Sequence, residues 1–171
     1  MFVRLLLATL PLGLYAACST DGGSTWPTNL DASCVGITVK SNSMIDITPG
    51  ALDHLTAVTS LSILHSGLVT APSEISVLQN TLEVLALNHN YQLTTIPADV
   101  LTGLLLLKEL FLTSCPLLTS LPDVSLPNLG HLDISYSGFT SVPYLPLMGK
   151  TIWVSNFNLS LFYSKEMDWV G

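Results

Sequence analysis

Charge is scarce in this sequence. Only 10% of its 171 residues are Asp, Glu, Lys or Arg, against roughly 25% in an average globular protein, so the exposed surface has to be built mostly from Ser, Thr, Asn and Gly. Positive charge is scarcer still. Five Lys and Arg face twelve Asp and Glu, a net charge of −7, which repels phosphate backbones and argues against a nucleic-acid partner. There is no basic patch and no glycine-rich phosphate loop. Cysteine occurs three times, at positions 18, 34 and 115, with no Cys-x-x-Cys pair. Long apolar runs are missing after the N-terminus: the most apolar later stretch, Val100 to Leu112, carries Lys108 and Glu109 in its middle. No transmembrane segment is therefore expected there, and the tail from Ser164 to Gly171 is no hydrophobic anchor signal. What is abundant is apolar side chain, 49% of residues, ample for the core of one domain.

The N-terminus reads as a secretory leader covering residues 1–17. Arg4 supplies a short positive start, and Leu5 to Ala17 is an apolar run of about thirteen residues ending in Ala16-Ala17. A spanning helix needs about 20 apolar residues, and this run is shorter and broken by Pro11. Loss of Arg4 with the leader takes the charge from −7 to −8. Leu14 or Tyr15 falls where a signal peptidase prefers a small residue, so cleavage after Ala16 and after Ala17 remain alternatives. Cys18, next in line, also opens a lipoprotein reading in which its sulfur is lipidated.

Self-similarity dominates the rest of the chain. Apolar residues recur in phase at Ile37, Leu61, Leu85, Leu110, Leu132 and Ile152, spaced 24, 24, 25, 22 and 20 residues apart. Each has an apolar partner two residues on: Val39, Ile63, Leu87, Leu112, Ile134 and Val154. Three residues beyond that partner stands Asn42, Ser66, Asn90, Cys115 or Ser137, with Phe157 in the degraded sixth unit. Met44, Leu68, Leu93, Leu118, Phe139 and Leu159 follow, the third and fourth units carrying one inserted residue. Four units then reach an apolar residue and proline: Ala71-Pro72, Ile96-Pro97, Leu121-Pro122 and Val142-Pro143.

In these segments the chain resembles the leucine-rich-repeat family, from about residue 34 to residue 160. The resemblance implies an α/β repeat solenoid, a horseshoe with a short-stranded parallel sheet on its concave face and helical, 3-10 or extended convex segments. The residue chemistry agrees. Side chains two apart on a strand point to one face, here inward, and the residue between them points out. The small polar residue after the strand satisfies backbone groups buried by the turn. Proline ends the inner loop by fixing φ and biasing its predecessor toward extended geometry. The returns from Pro72 and from Pro97 have room for one or two helical turns, whereas the second proline in Pro122–Pro127 and Pro143–Pro146 keeps those segments extended.

A solenoid needs both ends covered. Residues 18–33 are read as the N-terminal cap, with Trp26 between Cys18 and Cys34. In a secreted chain these two cysteines are expected to pair, closing a loop of about fifteen residues worth roughly 3 kcal/mol in the chain-entropy model; lipidation of Cys18 is the alternative. Cys115, in a ladder position, is expected to be a buried free thiol. Residues 161–171 form either an apolar lid or the cut end of a longer receptor. Asn158-Leu159-Ser160 is a glycan acceptor triplet.

The resemblance implies that a ligand binds the concave sheet. The outward column there is Thr38, Ser62, Ala86, Phe111, Asp133 and Trp153. Further outward columns hold Lys40, Leu64, Asn88, Thr113, Ser135 and Ser155, then Ser41, His65, His89, Ser114, Tyr136 and Asn156, with Glu109 and His131 preceding the strand core. Aromatic residues are preferred interface anchors, so Phe111, Tyr136 and Trp153 are the leading contact candidates, with Glu109, His131, Asp133, His65 and His89 around them. His65 and His89 share a column and could together ligate a metal, but Ser41 and Ser114 flank them and supply no third ligand. They are read as solvated strand residues. His131 and Asp133 share a strand face without an enclosed pocket or nucleophile, so no catalysis and no cofactor are expected. The expected product is a monomeric secreted binding module for a protein, peptide or glycan. The alternative is a structural or adhesive surface protein, lipid-anchored through Cys18.

Overall fold

The computed structural model describes residues 4–5, 16–21, 25–27, 30–43, 46–140 and 151–153. They form a sheet of eight strands whose spatial order follows the chain. A two-residue strand β1 (Arg4–Leu5) runs antiparallel to β2 (Ala16–Asp21). The others are parallel: β3 (Cys34–Lys40), β4 (Ser60–Leu64), β5 (Val84–Ala86), β6 (Glu109–Phe111), β7 (His131–Asp133) and β8 (Thr151–Trp153). Ala16 and Ala17 already belong to β2, so a leader ending at Ala17 would leave Cys18–Asp21 paired with β3.

Register follows the repeat. Ile37, Leu61, Leu85, Leu110, Leu132 and Ile152 are successive partners across β3 to β8, and the first five are at most 1% exposed. Their neighbours two residues on, Val39, Ile63, Leu87, Leu112 and Ile134, are buried as fully. Such a column of side chains, each removed from water, supplies the main driving force, at about 1.5–3 kcal/mol per fully buried residue. The chain returns through a 3-10 helix, Ser73–Leu78, and a single α-turn, α1 (Ala98–Leu101), each directly after the proline that ends the inner loop. Ile75, Leu78, Val100 and Leu101 close the core from that side. The Pro122–Pro127 return contains no helix, as its two prolines require; Val142 and Pro143–Pro146 lie outside the described residues.

Hydrogen bonds at the turn after each strand lock one repeat to the next. Asn90 is fully buried; its amide donates to the carbonyls of Ile63 and Leu87, both at 2.9 Å, and its oxygen accepts from the Ser66 backbone N–H at 2.8 Å. Cys115 repeats the motif, its Sγ 3.2 Å from the Leu87 carbonyl and its N–H donating to Ser137 Oγ at 2.9 Å, while the Ser137 hydroxyl donates to the Leu112 carbonyl. Asn42 does not join. It is exposed, and Ser41 is buried in its place, its Oγ accepting from Ser43 N–H. The Ser41 N–H still donates to the Leu64 carbonyl, as those of His65, His89 and Ser114 do to the repeat after theirs. Ser41 lacks, however, the left-handed φ of His65, His89, Ser114 and Tyr136 at the same offset, so its side chain turns inward where that of Asn42 would. Met44 lies outside the described residues.

Cys18 and Cys34 form a disulfide across β2 and β3, Cα to Cα 5.8 Å, inside the usual span of such bridges. Cys34 is at the same time the first core residue of its repeat, 0% exposed. Trp26 and Leu30 pack in the same cluster, and a His54 ring nitrogen lies 2.9 Å from the Leu30 carbonyl, tying the cap to the first return.

Three outcomes are expected from this packing. Asn90→Ala strands buried backbone groups in two repeats and should cost about 3 kcal/mol, roughly 10 °C in Tm, while Asn42→Ala should stay within about 0.5 kcal/mol; equal losses in thermal unfolding would contradict the ladder as drawn. A Cβ on Gly138 would run into the Pro116 carbonyl oxygen, whereas one on Gly36 meets nothing within 4 Å. Gly138→Ala should therefore destabilise by about 1–3 kcal/mol and Gly36→Ala should be neutral or slightly stabilising. Burial pushes the Cys115 thiol up to about 11, partly offset by the backbone N–H of Asn90. Because the folded chain holds this proton more tightly than the unfolded one, stability is complete below about pH 9 and falls as pH rises toward 11. Iodoacetamide at pH 8 should label Cys115 only after denaturation.

Candidate functional site

The residue between two inward leucines has to face out, and the pairing of β3 to β8 stacks these residues as Thr38, Ser62, Ala86, Phe111, Asp133 and Trp153. The column changes character at β6. Thr38 and Ser62 are small and polar, and Ala86 is only 7% exposed. From β6 onward the face is aromatic and charged. Leu110 anchors β6 with Glu109 and Phe111 half-buried on either side, and Leu132 does the same in β7 for His131 and Asp133. Glu109 therefore stands opposite His131, and Phe111 opposite Asp133. The Phe111 and His131 rings meet diagonally, centroids 5.1 Å apart and tilted by 45°. Asp133 is held by the Ser135 backbone N–H, which donates to Oδ1 at 2.9 Å. Just before the strands, Lys108 bridges to Glu83 at 2.8 Å; both side chains are well exposed, so the pair adds little stability. Trp153 lies in β8 opposite Asp133, and its side chain is outside the described residues, as are Ser155, Asn156 and Asn158.

The next columns do not continue the flat face. The later strands are three residues long, so His89 and Tyr136, like His65, lie past the strand ends in turns. His65, His89, Ser114 and Tyr136 all have φ between 52° and 60°, the left-handed region that histidine tolerates better than most residues. Ser41 and Ser135 turn inward and are buried, because the chain is already bending toward the core. His65 and His89 are consequently turn residues and not strand residues. Their rings stack at 4.5 Å with planes parallel to within 1°. Imidazole lone pairs lie in the ring plane, and parallel planes do not meet, so the stacked pair does not converge on one ion. Among the described residues no group of three or more His, Cys, Asp or Glu could hold a metal.

Sequence patterning passed over Tyr91. It sits 6.4 Å from His89, ring to ring, and is 54% exposed. The signal was available: Tyr91 follows Asn90 where the third repeat carries its insertion. The insertion after Cys115 likewise exposes Leu117, at 48%. An added residue lengthens the turn and has no core position to fill. Tyr136, also 54% exposed, stands on the same rim of the sheet.

Off the sheet, a cavity of about 370 Å3 lies beside the 3-10 helix, lined by Val69, Ala71, Pro72 and Pro97 with Asp46, Thr70, Ser73 and Glu74. It contains none of the candidate contact residues.

No protein-family model and no curated protein matches the chain. Among solved structures it is similar to human 5T4 (Wnt-activated inhibitory factor 1, trophoblast glycoprotein), with 18% identity, TM-score 0.48, and coverage of 84% of this chain and 77% of that one. It is also similar to the leucine-rich repeat domain of the type III effector XCV3220 (XopL), at 21% identity and TM-score 0.51, with 75% of this chain and 57% of that chain covered. The inward leucine columns, their parallel register and the likeness to the effector's repeat domain lead to one conclusion: the chain has the leucine-rich-repeat fold.

Proposed function

We propose that the chain is a secreted, non-catalytic binding module that captures a protein or peptide partner on the C-terminal half of its concave sheet. The observation that carries this reading is the change in surface chemistry along one column, from Thr38, Ser62 and Ala86 to Phe111 and Asp133. A scaffold needs only the inward residues. An aromatic ring left half-buried on an otherwise small and polar face removes apolar area from water when a partner covers it. Secretion is supported by the leader and by a disulfide, which persists in oxidising compartments. The bridge also occupies the Cys18 sulfur, which a lipid thioether would need, so the anchored spacer is the weaker reading.

Binding partners captured from the secreting organism's extracellular fluid should show saturable affinity that falls at least about tenfold, roughly 1.4 kcal/mol, in Phe111→Ala and in Trp153→Ala. Thr38→Ala should leave it unchanged. Uniform affinity across all three variants would sink the concave-face assignment, and retention of glycans in place of polypeptides would replace the partner class.

A further inference from the structure

Two carboxylates flank an aromatic pair on the proposed binding face. We propose that Phe111 and His131, flanked by Glu109 and Asp133, form a receptor for an arginine or lysine side chain projecting from the partner. This deepens the concave-face reading and rests on it.

The placement is set by register. Glu109 and Asp133 lie on adjacent strands, two positions apart, with the Phe111–His131 contact on the other diagonal of the same four-residue square. Strand spacing and rise put the two acidic Cα atoms about 8 Å apart. A guanidinium or ammonium laid over the aromatic pair is then within side-chain reach of both carboxylates. The face of an aromatic ring is electron-rich and attracts a cation, and carboxylates accept charge-assisted hydrogen bonds from its N–H groups. All four side chains are half-buried, so their interactions are less screened than those of a fully solvated pair.

The chain does not fill this receptor with the lysines that are described. Lys108 is committed to Glu83, and Lys40 sits on β3, three strands from β6, about 14 Å away by strand spacing. Among the described residues, Asp133 accepts a hydrogen bond from the Ser135 backbone N–H. Other occupants fit less well. A neutral apolar anchor would cover Phe111 but desolvate two carboxylates with nothing to pair them, which is costly. An acidic partner would be repelled. The net charge of −7 adds a long-range field that steers basic segments toward the protein.

The test uses the full chain and four pools of labelled hexapeptides with identical randomised flanks and a central arginine, lysine, citrulline or glutamate. Binding is read by fluorescence anisotropy. Citrulline keeps the shape of arginine without its charge. The arginine and lysine pools should bind about tenfold more tightly than the citrulline pool, and the glutamate pool least. The double variant Glu109→Gln, Asp133→Asn should erase the preference, and each single variant should reduce it, with the melting temperature of every variant unchanged as the check on folding. Equal binding of arginine and citrulline pools, or no binding of either, overturns the proposal. Charge-blind binding that is lost in Phe111→Ala overturns the basic partner while the concave face survives. Binding indifferent to Phe111→Ala and to the amide pair removes both.

Discussion

Every repeat of this solenoid faces one constraint: where the chain leaves the sheet, it buries backbone amides and carbonyls that water can no longer reach. Asn90 answers it most completely, with three hydrogen bonds from a fully buried side chain to groups in two successive repeats. An unpaired buried backbone group costs about 1–3 kcal/mol, comparable to the burial of a leucine. Apolar stacking alone would therefore hold the repeats loosely, because it is non-directional. The hydrogen bonds fix how far each turn advances, and so they keep Leu85 level with Leu110 and Leu110 level with Leu132.

That same register creates the candidate site. Aligning the inward leucines aligns whatever stands between them, which is why Phe111 and Asp133 face each other although 22 residues separate them in the chain. The shortness of β5, β6 and β7 decides the rest. With three residues per strand only one side chain per repeat lies squarely on the sheet between the core positions, and Tyr136 and His89 are moved to the rim by left-handed turns. The rim carries exposed aromatic area beside the sheet, and the sheet carries the charges. A polypeptide laid across β6 and β7 would touch both.

Much of this was legible beforehand. The inward columns, the two helical returns after Pro72 and Pro97 and the buried Cys115 thiol follow from spacing and residue type; the Cys18–Cys34 bridge is the one of two expectations for Cys18, pairing or lipidation, that the structure holds. Asn42 was misplaced because the pattern records residue type at a fixed offset, and Asn is acceptable there in either arrangement. Only the backbone dihedral at position 41, which is not left-handed as it is at His65, His89, Ser114 and Tyr136, decides whether position 41 or 42 turns inward. His65 and His89 were misjudged for a related reason. An offset from the strand core says which repeats will be level, and nothing about whether the backbone is still extended when it arrives.

The sequence by itself determined which side chains are buried together, since a recurrence of paired apolar residues every 20 to 25 residues can be satisfied only by stacking copies side by side. It also determined, through the near absence of positive charge, what the surface repels. Tertiary structure alone decided where each strand stops, which polar residue enters the ladder, and which rings touch: Phe111 on His131, and His65 stacked on His89. These depend on distances between residues remote in the chain and on turn dihedrals of a few tens of degrees. Periodicity fixes the order of the repeats along the solenoid; it does not encode those angles.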